Sequence, residues 1–128
     1  ARERLDEAKR LAEPYRTTLS STSLLVEDPI SRADADWALA GGRAQEAVSS
    51  HQAFLNRLEA LKASGADPRS ELTSAFVVSR RYGLLSAALV AAARPAEAAA
   101  IDARRRELVE FWQQKLPGSR SIDAILLR

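Results

Sequence analysis

Apolar and small residues recur along this chain at intervals of three and four, the period of helices that bury one stripe. Residues 2–13 place Leu5, Ala8, Leu11 and Ala12 on one face. Pro14 lacks the amide proton that a helix interior uses, so it is expected to kink or end that helix. Tyr15, Leu19 and Leu24–Val26 are placed to continue the stripe beyond it, across a Ser20–Ser23 stretch of poor helix propensity. Asp28-Pro29 then reads as a helix start, with Asp as N-cap and Pro at the first helical position. Over residues 29–40, Ile30, Ala33, Trp37 and Ala40 form a helical stripe with Trp37 as its bulky anchor. Gly41-Gly42 breaks it, as glycine does just past a helix end.

A long helix over Ala44–Ser64 carries Ala47, Val48, His51, Phe54 or Leu55, Leu58 and Leu61–Lys62. After a loop over 64–68, the fourth helix, about 68–92, has a buried side traced by Leu72, Ala75 or Phe76, Ser79, Tyr82, Leu85 or Ser86, and Leu89. Gly83 lies inside it at a cost of about 1 kcal/mol relative to Ala, which points to a close helix crossing or a local kink. Pro95 opens a fifth helix to Leu116 with Ile101, Leu108, Phe111 and Trp112, only one of the two aromatics able to face inward fully. Pro117-Gly118-Ser119 closes it, and residues 121–127 are expected to fold back as a cap. The fold class expected is all-α: antiparallel helical hairpins over about 29–64 and 68–116, with a flanking helix over 2–20, in a single domain spanning 1–128.

Composition agrees with this pattern. The chain of 128 residues holds 25 Ala, no Met, no Cys and few aromatics, and Ala is the best helix former because it loses no side-chain entropy. The formal charge of +2 is mild. Arg outnumbers Lys, which suits carboxylate recognition but is also what a GC-rich coding sequence gives. Without Cys there is no disulfide framework or thiolate metal site. With no apolar run near 20 residues and no secretory signal, no membrane span is expected and the cytoplasm is the expected compartment. The missing Met suggests a piece of a longer chain.

One motif recurs. Arg-x-x-Glu-Ala occurs as Arg4/Glu7/Ala8, Arg43/Glu46/Ala47 and Arg94/Glu97/Ala98. The latter two stand just after expected bends, where a small Ala lets two helices approach and a Glu meets the positive end of the helix dipole. In this the chain resembles the tetratricopeptide repeat, whose bend Gly is followed five residues on by a small Ala, as in Gly42 to Ala47. Ala93 stands in the Gly position of the later copy, with Ala98 five residues on. Trp37 is out of register with the family's first-helix signature, and the aromatic expected four residues after the Ala is His51 in one copy and Asp102 in the other. The style is similar to the degenerate repeats downstream of bacterial Ser/Thr protein kinase domains.

The resemblance implies a stacked, superhelical arrangement whose first helices line a concave groove. Arg80 then falls near an early groove position, with Arg32 and Asp36 corresponding one repeat back; with Arg81 these are the candidate peptide-binding residues. An Arg in such a groove can clamp a peptide carboxylate bidentately.

Catalytic chemistry finds little material. His51, the one histidine, reads as a packed core or boundary residue, and no Ser has an identifiable base. Asp34 and Asp36 splay to different faces, and Gly41-Gly42 is too short to cradle phosphate. Glu107 and Glu110 beside Arg104–Arg106 read as solvated ion pairs. The expected function is therefore a non-catalytic protein–protein interaction module, the regulatory or scaffolding segment of a bacterial signalling protein such as a Ser/Thr kinase. Its partner would be a protein, a peptide or a second copy of itself, with no cofactor and no metal. The alternatives are a homodimerisation or spacer domain and a weak nucleic-acid binder, whose affinity would fall steeply with salt.

Overall fold

A computed structural model of the chain describes residues 2–16, 21–65 and 71–115, with side chains over 2–13, 27–65 and 73–115. The described residues form five helices and no strand: α1 (Arg2–Arg16), α2 (Ser21–Ala40), α3 (Ala44–Ala63), α4 (Glu71–Ala91) and α5 (Pro95–Lys115). They belong to two compact units, Ala1–Pro68 and Arg69–Arg128. In the first, α2 packs against both α1 and α3; in the second, α4 packs against α5. The expected cap over 121–127 and the side chains of Tyr15, Leu19, Leu24–Val26 and Leu72 lie outside the described residues.

Neither proline marks a helix boundary at its own position. Pro14 does not end α1, which runs through it to Arg16. Nor does α2 begin at Asp28-Pro29; it begins at Ser21, and Pro29 is internal. An interior proline costs about 3 kcal/mol, and tertiary contacts hold the turn around it. Ser31 Oγ donates to the Asp28 carbonyl at 3.2 Å. Arg57 on α3 reaches Glu27 with Nε 2.7 Å from Oε2. Ser50 on α3 donates its hydroxyl to the Ser31 carbonyl at 3.3 Å.

The buried stripe of α2 also differs from the expected one. Ala35 and Ala38 are buried, whereas Ala33 and Ala40 are exposed and Trp37 is 42% exposed. Bulk is not what this helix buries: flanked on two sides, it presents alanines that let its neighbours come close. Trp37 instead lies under the Arg2 guanidinium, whose carbon is 5.9 Å from a ring centroid. On α3 the stripe is as expected, with Ala47, Val48, His51, Phe54, Leu58 and Leu61 buried. In the second unit, Ala75 and Val109 form a small core on which Phe76, Leu108 and Trp112 pack. Trp112 is the inward aromatic; Phe111, edge-on to it at 5.6 Å, is 49% exposed.

The two bends repeat one hydrogen-bond pattern position for position. At the end of α2, Arg43 N–H donates to the Ala38 carbonyl (2.8 Å) and Gly42 N–H to Leu39 (3.1 Å). At the end of α4, Arg94 donates to Leu89 (2.8 Å) and Ala93 to Val90 (3.0 Å). Both are Schellman closures, which need a left-handed residue at the penultimate place; Gly42 (φ 77°) and Ala93 (φ 60°) supply it. The next helix then starts on the Arg carbonyl, which accepts from Ala47 N–H (3.3 Å) in one copy and Ala98 N–H (3.1 Å) in the other. This explains the motif: Arg is the N-cap, Glu faces it from the first turn, and Ala is the first residue to close a full α-turn. Arg43 Nε lies 3.1 Å from Glu46 Oε2. Arg94 grips both oxygens of Glu97, through Nε and through Nη2 at 2.7 Å from Oε1. The first copy is different. Arg4, Glu7 and Ala8 lie within α1 with no bend before them among the described residues, and Glu7 pairs with Arg10 (3.7 Å).

α4 passes through Gly83 as one helix, and the group that approaches the glycine is a side chain. Arg105 of α5 lies across the glycine: a Cβ there would stand 2.6 Å from its Nη1. One turn back, Ser79 Oγ accepts from Arg105 Nε at 3.0 Å. Ser79 and Gly83 thus form a notch on α4 that receives one guanidinium.

Candidate binding cleft

In the Ala1–Pro68 unit, α1 and α3 rise on either side of α2 and leave a cleft of about 630 Å³ between them. Four residues of α2 at helical spacing, Glu27, Ile30, Ser31 and Asp34, form the floor. α1 contributes Lys9 and Ala12, and α3 contributes a wall from Gln45 to Arg57. The volume lies within the range of about 300–1,000 Å³ that ligand sites occupy.

Ion pairs stand at both ends. At one, Lys9 Nζ contacts Asp34 Oδ1, with Arg2 Nη1 at 3.8 Å from the same oxygen and its Nε at 3.3 Å from Asp6. At the other, Arg57 meets Glu27, whose side chain is only 12% exposed. Glu46, on the rim, is held by Arg43. Between the ends the lining is uncharged: Ile30, Ala53 and Phe54 with the hydroxyls of Ser31, Ser49 and Ser50 and the Gln45 amide. Among the described residues no group of three or more His, Cys, Asp or Glu is placed to hold a metal ion, and no helix is long and apolar enough to cross a membrane.

The residues expected to bind peptide are placed otherwise. Arg32 and Asp36 lie on α2, in the first unit. Arg32 is half-buried and turned to Asp28 (Nε–Oδ1 3.4 Å), while Asp36 is exposed. Neither lines the cleft. Arg80 and Arg81 lie on α4, in the second unit. Arg80 is exposed, but Arg81 is 1% exposed and among the largest fully buried side chains. So enclosed, the Arg81 guanidinium is not presented to solvent, unlike that of Arg80. Of Arg104–Arg106, the outer two are exposed and Arg105 turns into the α4 notch. That divides what reads in sequence as one basic run.

Sequence reasoning missed Lys9, Glu27, Asp34 and Arg57. Glu27, Ile30, Ser31 and Asp34 share one helical face, yet the mixed polarity hides that face from a search for apolar stripes. The interrupted reading of α2 at Pro29 hid it further.

The second unit carries the clearest electrostatic perturbation. Side-chain hydrogen bonds from Arg94 hold the Glu97 carboxyl below the usual carboxylate range, and the same bonds raise the Arg94 guanidinium above its ordinary value. Glu97 is exposed and Arg94 half-buried, and the pair sits at the start of α5. No family model, curated protein or solved structure matches this chain.

Proposed function

We propose that this chain is a non-catalytic protein-interaction module whose first unit receives a partner segment in the cleft between α1 and α3. The observation that carries the reading is the cleft itself. It is of ligand size, built on three helices, and lined by hydroxyl, amide and apolar groups between two ion pairs. Rigid helical walls hold such a surface in place before binding, which lowers the ordering cost of association. The paired bends support the tetratricopeptide-like reading, with Arg43/Glu46 and Arg94/Glu97 in equivalent positions. A regulatory or scaffolding segment of a bacterial kinase-type signalling chain is the context we attach to it.

The test is a peptide display selection run in parallel on the full chain and on Ala53→Arg, which fills the cleft from an exposed position. Binders are expected to be enriched on the unmodified chain and lost on the variant. Equal recovery on both would remove the cleft from the function. Self-association is the second reading, favoured by Leu11, which is 65% exposed on α1. A mass from light scattering that doubles with concentration and returns to monomer in Leu11→Glu would move the function there.

A further inference from the structure

Resting on the interaction reading above, we propose that the cleft takes an uncharged, extended segment of about five residues with one central aliphatic side chain. The first argument is charge. Among the described residues, each charged side chain at the cleft faces a counter-charge within the fold: Lys9 and Arg2 against Asp34 and Asp6, Arg57 against Glu27, and Glu46 against Arg43. A charged ligand would have to break one of these pairs or leave water without a partner, and both cost free energy. The neutral complement to a self-neutralised cleft is a neutral segment. Within the cleft this leaves no arginine free of a counter-charge to clamp a ligand carboxylate.

The second argument is backbone chemistry. A helical occupant satisfies its own amides and carbonyls and calls for an apolar groove. An extended one brings unpaired N–H and C=O groups that need partners. The α3 wall offers Ser49, Ser50 and Gln45, and a hydroxyl keeps bonding capacity after making one bond, having one donor and two lone pairs.

Length follows from the helix rise. Gln45 to Arg57 spans roughly 18 Å at 1.5 Å per residue, which an extended chain covers in about five residues at roughly 3.3 Å each. About two-thirds of the way along this wall stand Ala53 and Phe54, and Ile30 lies on the floor between Glu27 and Asp34, an apolar step that suits a leucine-sized side chain.

The experiment uses the isotope-labelled full chain and the capped peptide acetyl-Ser-Ala-Leu-Ala-Ser-amide, followed by amide chemical shifts. Saturable shifts are expected at Ile30, Ser31, Ser49 and Ala53. Gly in place of the central Leu should weaken binding by about ten-fold or more. Lys or Glu in place of either Ala should weaken it by about five-fold or more. Added salt should leave the affinity of the neutral peptide unchanged. Tighter, salt-sensitive binding of a charged peptide would overturn the neutral-ligand proposal while leaving the cleft as an interaction site. A cross-linked helical dodecapeptide that shifts the same amides when the pentapeptide does not would overturn the extended occupant, again leaving the interaction reading standing. Failure of every peptide to move any cleft amide would overturn the proposal, and an equal display recovery on Ala53→Arg would then remove the wider reading as well.

Discussion

Gly83 sets two magnitudes against each other. Replacing it with Ala removes the helix penalty of glycine, a gain of about 1 kcal/mol. The new Cβ would stand 2.6 Å from Arg105 Nη1 and 3.1 Å from its Cζ, too close for the guanidinium to stay. Because that group is the far end of a flexible side chain, it swings out and α4 does not distort. What is lost is the charged hydrogen bond from Arg105 Nε to Ser79 Oγ at 3.0 Å, worth about 1.5–3 kcal/mol. Gly83→Ala should therefore destabilise the protein by about 0.5–2 kcal/mol, against helix propensity. In an Arg105→Ala background there is no guanidinium to displace, and the same change should stabilise by about 1 kcal/mol. The double-mutant coupling is then about 1.5–3 kcal/mol. Urea unfolding followed by Trp112 fluorescence in a Trp37→Phe background takes its signal from the second unit and reads the change in stability, provided the urea slope is unchanged among variants. A coupling below about 0.5 kcal/mol, the scatter of independent sites, would refute the notch.

At the bends, Ala93→Gly should stabilise by about 1 kcal/mol and Gly42→Ala should destabilise by at least that much. Both residues have positive φ, and nothing lies within 4 Å of a Cβ at Gly42, so the difference is conformational and not steric; equal melting temperatures for each variant and its parent would contradict this. Glu97 has a folded-state pKa below its unfolded one, so its contribution to stability is fully present above the unfolded value and is lost as pH falls through the folded value. Carboxyl NMR titration should show the Glu97 midpoint rising in Arg94→Gln, and an unmoved midpoint would discount the hydrogen bonds. Phe54→Ala should cost about 3–5 kcal/mol. Trp37→Ala, at a residue 42% exposed, should cost about 1–2 kcal/mol; circular dichroism melts showing the reverse order would restore Trp37 as the anchor.

What the sequence by itself determined is local. Ala-rich period-three-and-four patterning gave all-α structure, and Gly41-Gly42 and Pro95 marked bends because left-handed φ and a missing amide proton act within one turn of chain. The buried face of α3, from Ala47 to Leu61, was legible for the same reason: large apolar residues at helical spacing leave one way to turn the helix. The passage of α2 through Pro29 was not legible locally: the turn around the proline is joined to α3, where Glu27 and Ser31 gain partners. Tertiary packing also selected Ala35 and Ala38 over Trp37 for burial, since a helix flanked on two sides gains more from close approach than from bulk. The same holds for the arginines. In sequence Arg81 and Arg105 look like their neighbours Arg80 and Arg104, yet one is buried and the other fills the Ser79–Gly83 notch. A charge can leave water only where hydrogen-bond partners meet it, and the notch that meets Arg105 is built by residues on another helix, Ser79 lying 26 positions away in the chain. The cleft belongs to this second class, because its ion pairs join helices whose spacing no local pattern records.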